Sequence, residues 1–156
     1  MRGKKAPKRE ILLDQKFKNL QVSKFINYLM RRGKKSVAQK IAYDCFEIIS
    51  NKTKQDALDI FEQAIRNVSP SLEVRGRRIG GANYQIPFPV RPERKFALAS
   101  RWLIESASNR KGRTMAEKIS QEIMDAAQGM GEAYKKKEDV HKMAEANRAF
   151  AHFARY

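Results

Sequence analysis

The chain has 156 residues, 42% of them hydrophobic, and carries a formal net charge of +16 from 33 Lys and Arg against 17 Asp and Glu. That length suits one domain with a real core, and the apolar content excludes wholesale disorder. Cys45 is the only cysteine, which excludes an intrachain disulfide and a four-thiolate metal site.

No apolar run approaches the ~20 residues of a membrane helix, and the charged N-terminus lacks the apolar segment of a secretory signal. A cytosolic or equally reducing compartment is therefore expected. The charge is concentrated: residues 1–35 carry 12 basic and 2 acidic side chains, residues 70–118 carry 11 and 4, and the other segments are near neutral. Such a field attracts polyanions and releases their counterions, so the expected partner is rich in phosphate.

In chain order, residues 1–19 open with Arg2, Lys4, Lys5, Lys8 and Arg9 around Gly3 and Pro7, a basic N-terminal arm that a partner would order. Val22, Phe25, Ile26 and Leu29 share one helical face, and Gly33 is the expected left-handed terminator of that helix. Arg31, Arg32, Lys34 and Lys35 surround Gly33 without an acid among them, which reads as a cationic corner between two helices. Ser36 with Gln39 has the spacing of a capping box and opens the second helix, whose apolar face is read as Val37, Ile41, Cys45 and Ile48, with Ala38, Ala42 and Ile49 beside it. Cys45 is expected to be a packed small side chain. Asp56 caps a third helix that buries Leu58, Phe61, Ile65 and Val68, and Ser69-Pro70 ends it.

The period then changes to two. Leu72 and Val74, and later Tyr84, Ile86, Phe88 and Val90, read as two strands joined at Gly80-Gly81, a β-hairpin arm over residues 72–90. Pro87 and Pro89 require the second strand to be short, bulged or at an edge. Arg75 and Arg77 point to one face and Arg78 to the other, so both faces present guanidinium groups suited to forked phosphate contacts. Gly76 allows close backbone approach, and Tyr84 offers a ring for a base to stack on. Pro92 opens a fourth helix burying Phe96, Ala99, Trp102, Leu103 and Ala107, with Arg91, Arg94 and Lys95 at the arm's base. Arg110, Lys111 and Arg113 occupy a loop before Thr114 and Glu117, a second capping-box spacing. The fifth helix follows with Ile119, Ile123 and Ala127, and a last helix from about Glu132 has Val140, Met143, Ala144 and Phe150 as core candidates. The whole reads as a mainly α single domain over residues 1–156, a compact bundle of about six helices with one projecting β-hairpin.

Catalysis finds no support. His141 and His152 would lie roughly 16 Å apart on a helix, too far to share a metal, and Asp56 and Asp59 belong to a helix first turn. Gly80-Gly81 is not followed by a helix start, so neither the dinucleotide fingerprint nor the phosphate-loop motif is present. No cofactor and no metal are expected. Among binding classes, a minor-groove DNA-compacting protein is the rival, but such arms often end in an apolar wedge whereas this tip is two glycines. A helix-turn-helix over Val22 to Ile49 would leave its second helix few side chains suited to base edges. Basic clusters spread over arm, corner and tail suit folded RNA, whose phosphates converge from several directions.

The chain resembles the bacterial form of the small-subunit ribosomal protein S-seven family from about Asp14 to Phe153. The resemblance is carried by Gly33-Lys34-Lys35-Ser36-Val37-Ala38, by Arg77-Arg78-Ile79-Gly80-Gly81-Ala82-Asn83-Tyr84-Gln85-Ile86-Pro87 and by Val90-Arg91-Pro92. Leu98-Ala99-Ser100-Arg101-Trp102 and the run from Glu138 to Asn147 add to it. Gln15, Gln21, Gly76 and Phe88-Pro89 depart from the family's habit. The resemblance implies a helical body with a hairpin arm and primary binding to the 3′ major domain of small-subunit ribosomal RNA, where it nucleates head assembly beside proteins of the S-nine and S-eleven families. It also implies an arm near the exit-site transfer RNA and messenger path, residence in the small subunit in the cytoplasm or in an organelle, and, in some members, repression of the protein's own message. Carried onto this chain, the implied contacts are the N-terminal basics, Lys34, Lys35, Arg77, Arg78, Gly80, Gly81, Arg91, Arg94 and Arg113.

Overall fold

Periodicity of apolar residues becomes nine elements among the described residues, in the order α1 (Leu20–Leu29), α2 (Lys35–Thr53), α3 (Ala57–Val68), β1 (Leu72–Ile79), β2 (Ala82–Pro89), α4 (Pro92–Asn109), α5 (Met115–Ala127), α6 (Glu132–Ala146) and a C-terminal 3-10 helix (Arg148–Arg155). The structure is a computed structural model that describes Gly3, Ala6, Pro7 and residues 9–155. It is mainly helical, with the two strands forming one antiparallel hairpin.

α5 is the hub, packed against α2, α3, α4 and α6. Its buried stripe, Ala116, Ile119, Ile123 and Ala126, follows the 3.6-residue period, and its expected cap is present, with Thr114 Oγ1 accepting from the Glu117 amide at 3.4 Å. A second seam is aromatic. Phe17, Phe46, Phe61 and Phe25 meet in edge-to-face pairs at 5.1, 5.5 and 5.1 Å, joining the N-terminal segment, α2, α3 and α1.

Four expectations shift. The buried face of α2 is Ala38, Ala42, Cys45, Phe46 and Ile49, one position round from the expected stripe, and Val37 is 52% exposed. The cause is Phe46, the largest apolar side chain of the helix, which turns that face into the aromatic seam. Ser36 lies inside the helix rather than capping it, and Lys34 at the N-cap makes no side-chain cap bond. α1 ends at Leu29 instead of near Gly33, because Met30 is extended and its amide closes the last turn on Ile26 O at 2.9 Å. In the last helix Met143 is 47% exposed while Ala133 and Ala144 are buried, and Phe150 lies beyond the helix in the 3-10 segment.

β1 and β2 pair without a bulge from Leu72↔Pro89 to Ile79↔Ala82. The two-residue turn needs positive φ at both positions, and Gly80 and Gly81 supply it at 56° and 91°. Counting in twos from the closing pair, Pro87 and Pro89 fall at the non-hydrogen-bonded positions, where an N–H would point away from β1. The ladder therefore tolerates both prolines over eight residues.

Cys45 is fully buried and burial pushes its thiol well up, as a packed structural side chain requires. Glu122, also fully buried, binds the elements on either side of α5. Its Oε2 accepts from Arg110 Nε at 2.8 Å and its Oε1 from the Ala133 amide at 2.9 Å, while Arg110 also reaches Asp125 at 2.5 Å. Gly131 enters α6 at φ 93°, and a Cβ there would stand 3.0 Å from Glu122 Oε1.

Glu122→Ala strips a buried charge pair of one partner and leaves a buried amide open, so it is expected to cost about 3 kcal/mol in urea unfolding. Ser100 Oγ, fully buried with no partner among the described residues, gives the contrast. Ser100→Ala should stay within about 1 kcal/mol of the parent protein.

Candidate nucleic-acid interface

α4 organises the cationic side chains. Its 18 residues span about 27 Å by helical rise. Arg91, Arg94 and Lys95 stand at its N-terminal end against the root of the hairpin, and Arg110, Lys111 and Arg113 follow its C-terminal end. Arg91 is the extended N-cap residue and is exposed, as are Lys111 and Arg113.

At that C-terminal end the corner cluster comes close. Arg31 and Lys34 line one hollow with Ile104 and Ser108 from α4 and Met115 from α5, so the corner after α1 borders a depression between the end of α4 and the start of α5. Arg31, Arg32, Gly33, Lys34 and Lys35 are all exposed, and left-handed Arg32 and Gly33 turn the chain sharply between the two helices. Arg110 differs from its neighbours. Burial opposes its charge, but the hydrogen bonds and charges of Asp125 and Glu122 outweigh that and hold its guanidinium above the ordinary value. It is an internal strut beneath Lys111 and Arg113.

On the arm, Glu73, Arg75, Arg77, Tyr84, Ile86 and Phe88 share one face, while Gly76, Arg78, Asn83 and Gln85 share the other. Arg78, Gly80 and Gly81 are exposed on the outer half. Arg75 donates from Nε to Glu73 Oε1 at 2.7 Å and lies over Phe88 at 5.3 Å, and Arg94 Nε reaches Glu73 Oε2 at 3.3 Å. Glu73 thus ties two candidate contacts to the arm's root. Its burial raises the carboxyl, yet the hydrogen bonds and charges of Arg75 and Arg94 together leave it below its ordinary value. Arg77 Nη1 donates to Phe153 O at 3.3 Å. Tyr84 lies against Phe150 and Phe153, with centroids at 5.2 and 5.6 Å, so the ring read as a stacking platform already packs on the C-terminal segment.

α6 fixes the root from below. His141 Nε2 accepts from the Ser71 amide at 3.1 Å, and Lys137 Nζ donates to Asn67 O at 2.8 Å, closing the end of α3. Burial first, and the nearby Lys137 second, lower the His141 pKa and favour the neutral ring that can accept.

The N-terminal segment is pinned closer to its start than a free arm over residues 1–19 implies. Asp14, 4% exposed, accepts from the Lys16 and Phe17 amides and from Tyr43 Oη, and Ser23 Oγ donates to Leu12 O. Arg9 is exposed and borders a cleft formed with α1 and α4. Arg2, Lys4, Lys5 and Lys8 lie outside the described residues. Arg101 was missed from sequence. It is exposed over Tyr28 at 5.6 Å, and the signal was its spacing of seven from Arg94, which puts both on one face of α4. Among the described residues no group of three His, Cys, Asp or Glu is gathered as a metal would need, and no helix is long and apolar enough to cross a membrane.

The chain matches known proteins over most of its length. The family model described as ribosomal protein S7p/S5e matches residues 1–148. A relative from Moorella thermoacetica, named small ribosomal subunit protein uS7, is 55% identical over 149 residues, 96% of each chain. Relatives of the same name from Carboxydothermus hydrogenoformans and Polynucleobacter necessarius are 58% and 54% identical over 94% and 97% of each chain. These names describe a ribosomal component rather than an enzyme.

Acid should loosen the arm's root in two steps. His141 has a lowered pKa, so the stability it lends is complete above the ordinary value of 6.5 and is lost as pH falls through the folded value. Glu73 follows below its ordinary 4.5. Amide exchange at Ser71 should quicken in the first step, and His141→Gln should abolish the first step alone.

Proposed function

The chain belongs to the ribosomal protein S7p/S5e family and is a small-subunit ribosomal protein, and on that premise we propose that it is a primary binder of small-subunit ribosomal RNA. The observation that carries this reading is the pair of exposed cationic groups at the two ends of α4, with the hairpin extending one of them. A rigid helix holds the groups about 27 Å apart, so phosphates of a folded RNA are matched at fixed separation rather than by a flexible tail. Arg78 on the open face of the arm, Lys34 and Lys35 at the corner, and Lys111 and Arg113 beyond α4 are the contacts to the backbone. Arg31, Arg32, Arg91 and Lys95 support them, together with the N-terminal basics. Arg75, Arg77 and Arg94 act with an acid or carbonyl already beside them, which orients their forks, while Arg110 braces the loop that carries Lys111 and Arg113.

Within that reading the target is the 3′ major domain, and binding nucleates assembly of the subunit head beside proteins of the S-nine and S-eleven families. The narrow glycine tip suits a crowded channel, which supports an arm lying by the exit-site transfer RNA and the messenger path. Repression of the protein's own message uses the same surface, since any RNA that mimics the phosphate array competes for it. A DNA-compacting role is the second reading, favoured only by the net charge.

Each neutralised phosphate should steepen the fall of log affinity with log salt by roughly 0.7–0.9. Lys34→Ala/Lys35→Ala and Arg77→Ala/Arg78→Ala, measured by filter binding to a small-subunit RNA fragment, should each weaken binding and flatten that slope by about one to two. Equal affinity for random duplex DNA at the same salt would favour the second reading instead.

A further inference from the structure

The C-terminal segment Arg148–Arg155 is an eight-residue 3-10 helix, longer than such helices usually run unsupported. In that geometry residues three apart fall in line, which puts Phe150 and Phe153 on one edge. Their rings stack 16° from parallel at 6.5 Å, and both meet Tyr84 of β2, while His152 packs on Phe153 at 4.0 Å. Tyr84 pairs across the ladder with Arg77, and Arg77 donates to Phe153 O. The segment therefore touches both strands of the arm at the Arg77↔Tyr84 rung. That rung lies beyond the root, two pairs from the closing pair Ile79↔Ala82. A two-stranded ribbon has little stability of its own in water.

From this geometry we infer that the C-terminal 3-10 helix is a strap that positions the arm: Phe150 and Phe153 clamp Tyr84 and steady Arg77, so that the outer half of the hairpin is presented to RNA in one orientation. Tyr84, Phe150 and Phe153 are positioning residues and touch no RNA. The inference rests on the RNA-binding reading only for its consequence; the clamp itself is a property of the free chain. Ordering the arm in advance removes the entropy that binding would otherwise have to supply, so the strap should act chiefly on affinity for the complete RNA site.

The test uses the full chain. Amide exchange is followed for residues 76–84, with the amides of Ile119 and Ile123 in α5 as the internal reference. Phe150→Ala/Phe153→Ala should speed exchange in the outer hairpin at least tenfold while leaving α5 unchanged. Tyr84→Phe should behave like the parent, since the ring and not the hydroxyl makes the contact. Affinity for a small-subunit RNA fragment should fall about tenfold in the double variant. The further loss caused by Arg77→Ala/Arg78→Ala should be smaller in that background than in the parent. If α5 exchange also rises, Phe150→Leu/Phe153→Leu replaces the double variant and should give a smaller change confined to the hairpin. Unchanged hairpin exchange, or tighter RNA binding in the strap variant, overturns the inference, the latter by making the segment a cover over Tyr84. Faster exchange with no effect of Arg77→Ala/Arg78→Ala on RNA affinity leaves the strap standing and removes the RNA reading of the arm.

Discussion

A carboxylate with no access to water, Glu122, fixes the relation between the parts of this molecule. It cannot stay charged in the interior without partners, and it has three donors to answer it: the Arg110 guanidinium by two nitrogens and the Ala133 amide. Those donors come from the loop after α4 and from the start of α6, so one side chain of α5 locks both. The position of α6 then sets His141, and His141 holds Ser71 at the foot of the hairpin. Gly131 is the residue that lets the chain turn into α6 so near that carboxylate, with a φ that other residues rarely adopt. The arm is thus connected to the core by a short series of polar contacts as well as by apolar packing.

Among the described residues the surface divides between cations that have protein partners and cations that share no ion pair. Arg75 and Arg94 converge on Glu73, and Arg110 on Glu122 and Asp125. The exposed Arg78, Lys111 and Arg113 extend outward from that layer. Partnered guanidiniums lose little rotamer freedom on meeting a phosphate, whereas free ones contribute most to the long-range attraction. Fast capture and a defined final pose draw on different terms of the free energy, and the proposed contacts include both kinds of cation.

Much of this was legible in the residues. The six helices, the hairpin with its Gly80-Gly81 turn, and the caps at Asp56 and Thr114 follow from period and local chemistry. Trp102 is buried with Ala99, Leu103 and Ala107, as the apolar face of that helix implies. The α2 face was displaced because tertiary contacts of Phe46 decide the rotation of a helix whose apolar stripe is broad. The capping-box spacing at Ser36 is not used because the turn through Arg32 and Gly33 starts the helix two residues earlier, with Lys34 as N-cap. At the candidate interface, sequence placed the cations but could not separate Arg110 from Lys111 and Arg113. Their difference lies twelve to fifteen residues downstream, at Glu122 and Asp125. The embrace of Tyr84 by Phe150 and Phe153 joins residues more than sixty positions apart, a relation no local pattern encodes.

The length of α4 has an evolutionary corollary. A single residue inserted in or deleted from that helix would move everything beyond it by about 1.5 Å and swing it by about 100°. The loop cations would then face a different side of the molecule from the cations at the hairpin's foot. Exchanges of side chain along α4 are therefore a mild form of variation, while indels are a severe one. Within this family, the number of residues between Pro92 and Asn109 should drift far more slowly than their identities.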